Sequence, residues 1–159
     1  MTAARDYFGV GLRIGAATAV YFTLALTADR LLHPYSALPG PPLPPRVLGA
    51  AMLVVGGLAY VRISRRLRAA VAAEKLLTTG VFARLRHPLY ALGIYLLAPG
   101  FCLQFGAWLV LTTPIAMALI YRRLIRTEER ALEARFGPAY RTYRQHTGGI
   151  WPTSLCVRR

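Results

Sequence analysis

Two short clusters hold most of the residues that could do chemistry in this 159-residue chain. The first is ARLRHPLYALG, Ala83 to Gly93, where Arg84, Arg86 and His87 meet Pro88 and Tyr90. The second is RTEERALEARFGPAYRTYRQH, with Glu128, Glu129, Glu133, Tyr140 and Tyr143. Three of the six acidic residues lie in this second stretch. Pro88 suits the first turn of a helix, so His87 falls at or near its N-cap, beside backbone N–H groups that favour a carboxylate or a hydroxyl-rich ligand. Glu129 and Glu133, four apart, share one helical face. A pocket built from both clusters could hold a zwitterion: Arg or N–H for its carboxylate, Glu for an ammonium or ribose hydroxyls, an aromatic for a base. The plain alternative is a set of solvated ion pairs of small worth, with His87 as a helix-start feature.

The elements that would position these residues are apolar. Hydrophobic residues make up 55% of the chain, charged ones 16%, and the mean hydropathy is +0.41. That is too apolar for an ordinary soluble domain. The net charge of +14 would suit a nucleic-acid binder, but long apolar blocks with cationic loops fit a membrane protein better. A bilayer core takes about 20 apolar residues per helix. Four blocks are candidates: Tyr7 to Ala28, Val47 to Ile63, Leu89 to Leu103 and Ala107 to Tyr121, the last two as a tight hairpin turning at Gln104 to Gly106. Pro114 lies inside the fourth, and Arg13 in the first can snorkel or face protein. Gly11 and Gly15 offer a face for close helix approach. His33 to Arg46 is proline-rich and reads as a stiff extended connector. After the fourth block, Gly137-Pro138 should break a helix, with Ala139 to His146 forming another.

The expected fold class is therefore all-α and integral to the membrane, with about four transmembrane helices, a helical hairpin and short cytoplasmic C-terminal helices. The chain reads as one domain, with two generic spans and a basic loop over 1–75 and a second functional half over 76–152. Arginines follow blocks two and four and precede block three, so both termini should be cytoplasmic, with the basic surface meeting anionic head groups. Cys102 and Cys156 lack metal-type spacing, and no metal site is expected.

LLTTGVFARLRHPLYALG, then a hairpin, then RTEERALEARFGPAYRTY ending at a Trp-Pro pair, resembles the isoprenylcysteine carboxyl methyltransferase family and its phospholipid methyltransferase relatives. The likeness covers roughly Leu76 to Pro152. It implies a multi-pass enzyme, here of a prokaryotic plasma membrane, that uses S-adenosylmethionine and methylates a lipophilic acceptor, either a prenylcysteine-type carboxylate or another lipid carboxyl, hydroxyl, amine or thiol. By position, Arg86, His87, Pro88, Tyr90, Gly93, Glu128, Glu129, Tyr140 and Tyr143 would bind the cofactor. Glu129, with Arg126 or Arg123, would serve catalysis. The family often has glycine two residues after the tyrosine, where this chain has Leu92. Sterol-type NADPH reductases share the Arg-His-Pro-x-Tyr element but carry further residues around it that this chain lacks. A membrane scaffold would leave His87 and the glutamates without a joint purpose.

Overall fold

A computed structural model describes residues 2–32 and 43–151, with side chains from residue 9 onward in the first segment. The described residues are helical, with no strand and one isolated bridge. The long helices are α1 (Thr2–Leu32), α2 (Leu43–Ala72) and α5 (Thr113–His146). Between them, α3 (Pro88–Leu92), a π turn (Gly93–Leu97) and α4 (Ala98–Cys102) follow one another without a break. Pro99 has no N–H to continue a regular ladder, and the wider π turn immediately precedes it.

Two helices are long and apolar enough to cross a membrane, not four. They are Gly9–Leu32 and Leu43–Ala72, and only 11% of each apolar window is buried inside the protein, so neither is the core helix of a soluble fold. Leu12, Leu24, Val54 and Leu58 point outward instead. The hairpin arms fall short for a geometric reason. Pro88–Cys102 is a 15-residue apolar helix, about 22 Å long at 1.5 Å per residue, against a hydrocarbon core of about 30 Å. The apolar part of α5 ends at Tyr121, where Arg122 and Arg123 begin.

Other boundaries also move. Helix α1 extends past the expected block at both ends. Residues 33–42 of the proline-rich connector lie outside the described residues, but Leu43 to Arg46 is already helical, because prolines at 44 and 45 fit a first turn where no N–H partner is needed. Helix α2 runs on through its arginine cluster to Ala72, since arginine is a good helix former. Pro114 sits at the start of α5 rather than inside a span, for the same first-turn reason.

Helix α1 lies along α5, and α2 lies against the π turn and α4. The close approach falls on α2, not on the expected Gly11 and Gly15. A Cβ on Gly15 would meet nothing within 4 Å, whereas one on Gly49 would stand 2.6 Å from the Gly100 carbonyl. One core gathers Val10, Ile14, Ala91, Ile94, Tyr121, Ile125 and Ile150. A smaller one holds Cys102, Ala107 and Val110 at the hairpin tip. Helices α1 and α2 are both fastened to that tip: Leu109 N–H donates to Asp29 at 3.4 Å and Gln104 Nε2 to the Arg46 carbonyl at 3.3 Å.

Helix α5 bends at Gly137, whose φ of 54° and ψ of −129° are open to glycine and strained for any other residue. Pro138 then starts the next helical stretch, as its missing N–H allows. The bend turns Tyr140, Tyr143 and Arg144 back over the end of the hairpin. Gly137→Ala is expected to cost about 1–3 kcal/mol through backbone strain alone, since no atom lies within 4 Å of the new Cβ. Thermal unfolding in detergent would register this as a lower Tm, with helix content by circular dichroism unchanged at low temperature.

Candidate active site

His87 is the N-cap of α3 and Pro88 its first helical residue. The backbone just before it is held by a strap from the C-terminal side: Arg86 N–H donates to Gly148 O at 2.7 Å and His87 N–H to Gly149 O at 3.1 Å. The Arg86 guanidinium reinforces this through Nη1, which donates to the carbonyls of Arg144 and Thr147 at 2.8 and 3.0 Å. Both sides of the Arg-His-Pro corner are therefore fixed before any side chain meets an acid.

The acids come from α5. Tyr121, Ile125, Glu128 and Leu132 share its buried face, so Glu128 is carried inward by the same 3.6-residue period that buries the apolar residues. The Tyr90 hydroxyl donates to Glu128 Oε2 at 2.7 Å. Glu129, one residue on, turns toward Arg86 Nη2 at 3.0 Å, His87 Nε2 at 3.4 Å and Arg144 Nη2 at 3.7 Å. His87 stands between the two carboxylates, its Nδ1 3.8 Å from Glu128 Oε1. Its side chain is 3% exposed.

Environment separates the two glutamates. Burial pushes the Glu128 carboxyl above the usual range, partly offset by His87 and by the Tyr90 hydrogen bond. The His87 hydrogen bond holds Glu129 below that range, with Arg86 and Arg144 adding to it against the opposing effect of burial. Tyr140 is almost fully buried, and its hydroxyl has no partner among the described residues. Burial, with Glu129 nearby, raises its phenol. Tyr143 spends its hydroxyl on the Phe82 carbonyl at 2.7 Å, fastening the turn Gly80–Ala83, and burial pushes its phenol up to about 12.

A cleft of about 390 Å³ opens beside Glu129, lined also by Arg86, Tyr121, Arg122, Ile125, Arg126, Arg130 and Arg144. The residues expected to act together thus fall into three groups. Arg86, Glu129 and Arg126 face the cleft. His87, Tyr90 and Glu128 form a bonded group joined to it through Glu129. The other five, Pro88, Gly93, Tyr140, Tyr143 and Arg123, stand outside both. Pro88 is buried at the helix start, and Gly93 packs on Met117 of α5. Arg123 lines a neighbouring groove.

Tyr121 and Arg144 belong to the same assembly and were not picked out from the sequence. Tyr121 had a signal, since it lies seven residues before Glu128 on the same face; its ring is 5.3 Å from that of Tyr90 and 6.0 Å from that of His87. Arg144 had none, because only the bend at Gly137 brings it to Glu129. Gly149 likewise has only a spatial reason: a Cβ there would stand 3.3 Å from the Tyr121 hydroxyl.

A model of the isoprenylcysteine carboxyl methyltransferase (ICMT) family matches residues 47–134, just over half of the chain. No curated protein and no solved structure matches.

Because Glu129 is held below the usual carboxyl value of 4.5, its ion pairs contribute stability that is present above that value and lost as pH falls through the folded one. Glu129→Gln is expected to be less stable than the parent by about 1–3 kcal/mol at pH 7. The gap should close between pH 4.5 and lower pH as the parent's own carboxyl takes up its proton. Melting curves of both proteins across that range test the sign; a constant gap would contradict it.

Proposed function

The chain belongs to the isoprenylcysteine carboxyl methyltransferase family, and from that premise we propose that it transfers a methyl group from S-adenosylmethionine to a lipophilic acceptor at the face of the membrane where the cleft opens. The observation that carries this reading is the Glu129 carboxylate. It is held below the usual carboxyl range by the His87 hydrogen bond and two guanidinium groups, it borders the cleft, and it is backed by a second carboxyl pushed the other way by burial.

The residues present fit such a donor. Glu129 offers an anion for an ammonium group or for ribose hydroxyls, and Arg86 and Arg144 offer donors for a carboxylate. Tyr121 supplies an aromatic wall. The orphaned Tyr140 hydroxyl and Arg86 Nε are buried polar atoms that still lack partners in this neighbourhood. When bound, the donor supplies an electrophilic methyl group on a positively charged sulfur.

The chain's own contribution is orientation. A carboxylate acceptor is already ionised at neutral pH and needs no general base. Holding the reactants in line can then lower the barrier by about 7–11 kcal/mol in favourable cases. Arg126 lines both the cleft and the neighbouring groove, and this position supports Arg126 over Arg123 as the residue that orients the acceptor. The rigid corner at Arg86-His87 keeps Glu129 in place, and Tyr121 and Ile125 give the cleft its apolar part.

The same reading sets an orientation in the membrane. Arg62, Arg65, Arg66, Arg68, Arg84, Arg122, Arg123 and Arg126 flank the end of the fold that carries the cleft, so this end faces the cytosol, together with both ends of the chain. The hairpin enters the bilayer from that side, between the two spans.

Calorimetric titration of the detergent-purified protein is the direct test. S-adenosylhomocysteine is expected to bind and NADPH not to bind. His87→Ala and Glu129→Ala should each weaken that binding at least about ten-fold, with helix content retained. Labelled methyl donor incubated with a membrane lipid extract should then label one lipid class. Absence of S-adenosylhomocysteine binding by the parent protein would refute the reading.

A further inference from the structure

Beyond the clasp around Glu129, α5 carries six more guanidinium groups; Arg135 and Arg141 pair with Glu74 and Glu133, which leaves four, Arg122, Arg123, Arg126 and Arg130. None of them makes an ion pair among the described residues. Arg122, Arg126 and Arg130 line the cleft. Arg122 and Arg126 also line a second groove of about 540 Å³, together with Leu119, Ile120 and Arg123. The two cavities therefore share two arginines. The groove wall is apolar toward the bilayer, where Leu119 is exposed, and cationic toward the cleft.

The charge balance of the cleft is lopsided. Five arginines line it against one glutamate, and that glutamate is already engaged by Arg86, His87 and Arg144. The methyl donor carries an ammonium, a sulfonium and a carboxylate, a net charge of one positive unit. Like charges at short range in a partly desolvated cleft disfavour its binding. A fixed anion on the shared arginines would reverse that. An anion with an acyl chain matches the groove on both counts, with guanidinium donors for a phosphate and Leu119 and Ile120 for the chain. Basic clusters at the membrane surface also attract such lipids from the leaflet.

We propose that the groove of Leu119, Ile120, Arg122, Arg123 and Arg126 binds the head group of an anionic phospholipid, and that its negative charge prepares the adjoining cleft for the cationic methyl donor. This lipid is a resident of the site and not the methyl acceptor. The coupling to the donor rests on the function proposed above; the lipid site does not.

The full-length protein is reconstituted in nanodiscs of phosphatidylcholine alone, or with one third phosphatidylglycerol. Two ligands are titrated: S-adenosylhomocysteine, whose net charge is zero, and sinefungin, an aminated analogue with one positive charge. In discs with phosphatidylglycerol, sinefungin is expected to bind about three- to ten-fold tighter and S-adenosylhomocysteine less than about two-fold tighter. Arg122→Gln/Arg123→Gln should abolish this difference, which separates the groove from the general potential of an anionic bilayer. Native mass spectrometry of the parent should show phosphatidylglycerol retained over phosphatidylcholine, and the double variant should lose that preference. Sinefungin affinity equal in both discs, or phosphatidylglycerol retention unaffected by the double variant, would overturn the proposal. Failure of both ligands to bind in any disc would instead refute the methyl-donor reading, and with it the coupling, while the retention measurement still judged the lipid site.

Discussion

The site depends on one carboxylate that three parts of the chain share. Glu129 meets Arg86 in an ion pair and His87 in a hydrogen bond at the start of the hairpin, and Arg144 in a second ion pair beyond the bend of α5. Each contact alone is an ordinary polar contact. Their convergence on one partly buried group is what joins the corner, the long helix and the returning strap into a single unit. Arg86 shows how tight the coupling is, because its other guanidinium nitrogen ties down the backbone of that same strap. A group held from several sides in this way needs little rearrangement to meet a charged ligand, which is the physical content of preorganisation.

Much of this arrangement could be read in the residues. His87-Pro88 announced a helix start, and the chain forms one there. Gly137-Pro138 announced a break, and the helix bends there. The apolar period of α5 places Glu128 on the buried face. The number of spans could not be read in the same way. Hydropathy marks segments that prefer an apolar setting, but a 15-residue helix packed between longer ones satisfies that preference without matching the bilayer's thickness. The proline-rich connector was also read too broadly, because composition alone does not separate prolines that exclude a helix from prolines that open one.

What stayed hidden was non-local. The pairing of Arg86 and His87 with Gly148 and Gly149 joins residues some sixty positions apart, and no local pattern announces it. Arg144 looks like one more arginine in a basic tail until the bend is known. The glycine contact between α2 and α4 was displaced from Gly11 and Gly15 to Gly49 and Gly100, since small-residue spacing identifies a possible contact but not the helix that will use it.

The sequence distance between Arg86 and its partners has a consequence during synthesis. Thr147, whose carbonyl Arg86 binds, is 61 residues later in the chain. At about 5–20 residues per second, translation takes roughly 3 to 12 seconds to cover that distance. For much of this interval the nascent hairpin has its arginines but not yet Glu129. An uncompensated guanidinium resists transfer through hydrocarbon. Until Glu129 and the later carbonyls are made, the Arg86 guanidinium has none of the partners it holds in the fold, so its contacts are among the last of the site to form.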